Sequence, residues 1–151
     1  MSAIKKFDEF IRMRIVKKQA PDRSRAAFLI QESERSYSNL LEMISMLKVD
    51  DNHANNFVKS CYDILMELIR AKMLLDGYNA AGSGAHEAEV SYMRILGFDE
   101  NVVQFADQIR FFRNGMLYYG TALDKEYAEK AIEFTKRVYP RLKHMLENTK
   151  N

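Results

Sequence analysis

Residues 99–120 read DENVVQFADQIRFFRNGMLYYG, and the reading of this stretch decides the fold. Val102, Phe105, Ala106, Ile109, Met116 and Leu117 recur at the three- and four-residue steps of a helix with one face in a core. Arg113 falls on the same stripe. A guanidinium does not give up its charge, so on an apolar face it must be paired, hydrogen bonded, or open to a wet groove or a partner's surface. Arg110, Asn114 and Tyr118 follow one another at four-residue steps and form a donor-rich strip beside the stripe.

Outward from this helix the chain reads as further helices. Asp99 is its cap, and Gly97 closes a short helix over Ala85 to Leu96. Residues 78–84, YNAAGSG, read as the most flexible loop. Before it, a helix from about His53 to Asp76 is stopped by Gly77. Its apolar residues nearly circle it, so it is expected to be buried on two sides, as the central helix or between the core and a partner. From Asp22 to Leu47 a one-sided helix carries Ala26, Ala27, Ile30, Tyr37, Leu40, Leu41, Ile44 and Leu47 on its apolar positions. Ile4, Phe7, Phe10, Ile11 and Ile15 give residues 3–18 the pattern of a short basic helix ended before Pro21. After Gly120, residues 124–148 form a closing helix that Pro140 is expected to kink. No β-strand and no internal repeat is predicted.

The chain has 151 residues, enough for one domain that buries roughly two thirds of its unfolded surface. Two prolines and six glycines are few, and strong helix formers are many, so the fold class is all-α, with five to six helices. Residues 1–25 carry +5 and the remainder −3, which gives either an anion-binding end or a solvated helix face. The single cysteine, Cys61, excludes an internal disulfide and sits among apolar neighbours. No apolar run approaches the ~18 residues of a bilayer span and the N-terminus lacks a hydrophobic signal core, so a cytoplasmic setting without membrane contact is expected.

Several chemistries are missing. His86-Glu87-Ala88-Glu89-Val90 begins like a zinc-protease helix but lacks the second histidine. None of His53, His86 or His144 follows a glutamate by three, as a di-iron bundle requires. Gly82-Ser83-Gly84 is too short for a phosphate loop and lacks its lysine. No nucleophile set can be argued from spacing, so no metal or cofactor is expected.

At residues 113–119, RNGMLYY, the chain resembles the HEPN superfamily. The motif of that family lies on the penultimate long helix: arginine, a polar residue often asparagine, a short spacer, then histidine. Arg113 and Asn114 agree. Tyr118 stands in the histidine place, with Tyr119 next to it and Gly120 where some antitoxin-paired members carry tyrosine. The order of helices over residues 22–148 is also similar, with Leu74-Leu75-Asp76-Gly77 ending a long apolar helix and His86 following the loop. The resemblance implies an up-and-down helical bundle that forms a homodimer, with the two motif helices facing each other across a positively lined cleft. It also implies RNA cleavage without metal, the arginine holding the scissile phosphate and the histidine moving the proton of a ribose 2′-hydroxyl. A phenol with a pKa near ~10 is a poorer base at neutral pH than an imidazole, which makes His86 a candidate substitute.

Two functions from different classes follow. The first is an RNA-directed protein, cleaving or only binding RNA, of toxin–antitoxin type, with Arg113, Asn114 and Tyr118 as catalytic candidates and Arg110 and Tyr119 as RNA contacts. The second is a non-catalytic interaction module that partners a minimal nucleotidyltransferase. A purely structural reading of the cluster pairs Arg113 with Asp107 or Asp63 in a dimer seam.

Overall fold

The computed structural model describes residues 3–120 and 122–149, with side chains excepted at residues 116–119 and 149. It is an all-α bundle of six helices, among the described residues, with one short two-stranded ribbon on its side. The helices are α1 (Phe7–Arg12), α2 (Arg23–Met46), α3 (Ala54–Asp76), α4 (Ala85–Ile95), α5 (Glu100–Tyr119) and α6 (Lys125–Thr149). No helix among the described residues is long and apolar enough to cross a membrane.

Local sequence signals set most of the boundaries. Asp22 caps α2 by accepting from the Arg25 amide at 3.1 Å, and Asp99 caps α5 by accepting from the Val102 amide at 3.1 Å. Gly77 ends α3 at φ +89°, a left-handed conformation that a side chain would strain. A Cβ there would also meet the backbone oxygen of Gln19 at 2.8 Å. α6 runs through Pro140, which lies on its exposed face.

The central element is α3. It packs against α2, α4, α5 and α6, and buries Phe57, Ile64, Leu68, Ile69, Met73 and Leu74 completely or nearly so. Its near-circular apolar pattern is therefore satisfied within one chain. α2 covers it with a narrower stripe than expected: Ala26, Ile30, Ser33 and Leu40 are buried, whereas Ala27, Leu41 and Leu47 are exposed. Leu41 lies about 100° around the helix from Leu40, which turns it off the contact. Ser33 is tolerated in the core because its hydroxyl donates to the Ile64 carbonyl at 2.8 Å. At the far end, the Asn55 and Asp51 side chains accept from the amides of Leu123 and Lys125 and fix the entry of α6.

Two expectations are corrected. The N-terminal helix ends at Arg12 rather than near residue 18: Arg14 adopts φ 61°, which breaks the helix. The chain then extends into β1 (Val16–Lys18), which pairs antiparallel with β2 (Tyr78–Ala80) in the segment read as a flexible loop. Bonds from the Gln19 amide to the Gly77 carbonyl and from the Ala81 amide to the Ile15 carbonyl continue the ribbon at both ends. Val16 and the rings of Phe7 and Phe10 are buried beneath it, and that burial favours extended backbone over a solvated helix. Arg94 secures the same region, donating to the carbonyls of Ile4 and Lys5 while pairing with Glu100 at 2.6 Å.

Candidate functional site

Three helices converge on a concave pocket of about 160 Å³. α3 contributes Tyr62, Asp63, Met66, Glu67 and Arg70, α4 contributes His86, and α5 contributes Arg113 and Asn114. At ~30 Å³ per water the volume equals about five waters, the scale of one phosphate group or one planar ring rather than a larger ligand.

On the α5 wall, Arg113 lies with Nη2 3.7 Å from Asp63 Oδ1 and its guanidinium carbon 5.8 Å from the Tyr62 ring centre. The pairing with Asp63 expected of a structural arginine is thus present, but it is long and leaves much of the guanidinium unused. Arg113 Nε is buried without a hydrogen-bond partner among the described residues. The Tyr62 hydroxyl and Glu67 Oε2 share that condition. Three buried polar atoms without partners around one cavity are unusual, since leaving such a group unmade costs ~1–3 kcal/mol each.

The α4 wall is built on a buried carboxylate. Glu89 accepts from Arg70 Nε at 2.5 Å and Nη2 at 3.1 Å, and its Oε1 lies 3.1 Å from His86 Nδ1. Burial alone would raise the Glu89 carboxyl, but the bonds from His86 and Arg70 outweigh it and hold the group below its ordinary value. The contact fixes His86 through Nδ1 and leaves Nε2 for a ligand. His86 itself is exposed, with its ring set edge-on to Tyr62 at 6.3 Å between centres.

The α3 wall is electrically mixed. Burial, reinforced by Asp63 and Glu32, pushes the Glu67 carboxyl up to about 7. Burial also raises Asp63, against the pull of Arg113 and Arg70. The Tyr62 phenol is driven well above its ordinary value, first by burial and then by the charge of Glu89.

Of the residues singled out in the sequence, Arg113, Asn114 and His86 line this pocket together although they come from separate elements. Arg110 does not line it: its Nε binds the buried Asp107 at 2.7 Å and Nη1 lies 3.9 Å from Glu87. The side chains of Tyr118 and Tyr119 lie outside the described residues. Tyr62, Glu67, Arg70 and Glu89 were not anticipated from sequence. Glu67 and Arg70 had a usable signal, because with Asp63 they form a polar stripe at steps of four and three on an otherwise apolar helix.

A larger groove of about 690 Å³ lies between α5 and α6, floored by Val102, Phe105 and Phe134 and rimmed by Glu126, Glu129 and Glu133. It has room, but no buried polar atom without a partner points to a ligand there among the described residues. The smaller pocket is therefore the better candidate. Among the described residues no cluster of three or more histidine, cysteine or acidic side chains could hold a metal ion. Comparison with family models, curated proteins and solved structures finds no match to this chain.

Proposed function

We propose that the chain is a HEPN-like helical protein that binds RNA through the pocket between α3, α4 and α5 and cleaves it without metal, as a homodimer of toxin–antitoxin type. The observation that carries this reading is the meeting of Arg113, Asn114 and His86 around one cavity in which Arg113 Nε has no partner. A guanidinium and an amide suit a phosphate, whose oxygens accept several hydrogen bonds at once. His86, oriented by Glu89 through Nδ1, supplies through Nε2 the imidazole that the motif itself lacks at Tyr118. In this reading the scissile phosphate lies against Arg113 and Asn114, and His86 moves a proton at the ribose or at the leaving oxygen.

The test is incubation of the purified chain, Arg113→Ala and His86→Ala with single-stranded and structured RNA in excess chelator, reading cleavage and retention. Wild type should cleave. Arg113→Ala should lose both cleavage and retention while staying folded, and His86→Ala should retain RNA without cutting it. Neither cleavage nor retention by wild type would refute the reading and favour the interaction module that partners a nucleotidyltransferase.

A further inference from the structure

Glu67 has no part in that reading, yet it lines the same cavity from α3. Its Oε2 is buried and without a partner among the described residues. Asp63 and Arg70 on its own helix and Glu32 on α2 act on it directly, and Tyr62, His86 and Arg113 line the cavity with it. The two nearest carboxylates, Asp63 and Glu32, disfavour its ionised form, while Arg70 favours it. The result is a carboxyl group poised between its two states near neutral pH, which is the condition an acid–base group needs.

Cleavage of RNA by its own 2′-hydroxyl requires two proton transfers. One proton leaves the 2′-oxygen as it attacks phosphorus, and one must reach the 5′-oxygen as the phosphorus–oxygen bond breaks. A single imidazole is in the wrong state for one of the two. We propose that Glu67 accepts the 2′-hydroxyl proton and that His86 donates through Nε2 to the leaving 5′-oxygen, so that the pocket is a two-residue acid–base site. This rests on the reading that the pocket cleaves RNA. The O2′–P bond forms and the P–O5′ bond breaks, giving a 2′,3′-cyclic phosphate and a 5′-hydroxyl end. Glu67 ends protonated and His86 neutral, and exchange with water restores both. Neither oxidant nor metal enters the balance. Arg113 and Asn114, which line the same cavity from α5, hold the phosphate.

The experiment compares two substrates on the full chain: an RNA oligonucleotide, and a ribonucleoside 3′-(p-nitrophenyl phosphate), whose leaving group departs without a proton. Glu67→Gln should lose both activities by ~10²–10⁴-fold while retaining RNA as well as wild type does. His86→Ala should lose cleavage of the oligonucleotide but keep most of its turnover of the activated ester. Wild-type turnover of the ester should rise with pH as Glu67 ionises, and Glu67→Asp should keep that rising limb at a lower rate. Full activity in Glu67→Gln, or equal loss of both substrates in His86→Ala, overturns the proposal and leaves RNA cleavage by the pocket standing. Failure of wild type on both substrates overturns the underlying reading and this inference with it.

Discussion

The buried ion pair beneath the pocket offers the sharpest test of the energetics. Glu89 is 2% exposed and binds Arg70 through two hydrogen bonds of 2.5 and 3.1 Å. Glu89→Ala removes both and leaves a guanidinium whose side chain is 27% exposed. Breaking a buried pair costs ~3–5 kcal/mol, and because Arg70 can still reach water the lower end, about 3 kcal/mol, is expected. At ~2–4 °C per kcal/mol for a chain of this size, Tm should fall by about 6–12 °C. Urea unfolding at pH 7 measures the same loss. The pH dependence has a definite sign. The folded-state Glu89 carboxyl lies below its ordinary value, so its contribution is complete above the unfolded value near ~4.3 and is lost as pH falls through the folded value. The gap between wild type and Glu89→Ala should therefore narrow below about pH 4. Arg70→Met should also be destabilising, because it strands the more deeply buried charge, while Arg70→Met with Glu89→Leu should recover part of the loss. A cost under about 1 kcal/mol, or strictly additive single and double variants, would refute this reasoning.

Gly77→Ala should destabilise more than Gly97→Ala. Both glycines have φ near +90°, where a side chain costs roughly 1 kcal/mol or more, but only at Gly77 does a Cβ strike backbone, so equal urea midpoints would contradict the packing. Burial pushes the Cys61 thiol up to about 11, so a thiol reagent at neutral pH should label it only as fast as the bundle opens, and immediate labelling of native protein would refute its burial. Tyr118→His should create or raise metal-independent cleavage of RNA, measured on the oligonucleotide in chelator; no change would count against the motif register.

Most of the bundle is legible in the sequence because its helix ends carry their own chemistry. Asp22 and Asp99 cap, Gly77 and Gly97 stop, and the apolar positions of α6 face the core, with Ala131, Phe134, Val138, Leu142 and Leu146 buried and Tyr127 and Met145 half-buried. The first twenty residues mislead for a physical reason. Ile4, Phe7, Phe10, Ile11 and Ile15 keep helical spacing straight through Arg14, and nothing local announces that β1 has a partner on the far side of α2 and α3. The site is half legible. Arg113 stands out as a charge on an apolar stripe, and His86 as the imidazole that follows the loop in the order of helices. Glu89 does not stand out, since an acid on a short helix becomes a buried support only when Arg70 arrives from another helix to neutralise it.

The way the N-terminal segment is fastened has a consequence for how the chain is made. Arg94 holds the carbonyl of Ile4 across 90 residues of sequence, and β1 waits for β2. At ~5–20 residues per second of synthesis, roughly 5–18 s pass between emergence of Ile4 and of the arginine that fastens it. Over that interval Phe7, Phe10 and Val16, all buried in the finished bundle, have nothing to be buried against. A segment that leaves the ribosome ahead of every helix that holds it is thus among the last to be secured, and translation that halts before α4 leaves that apolar, basic segment without its dock.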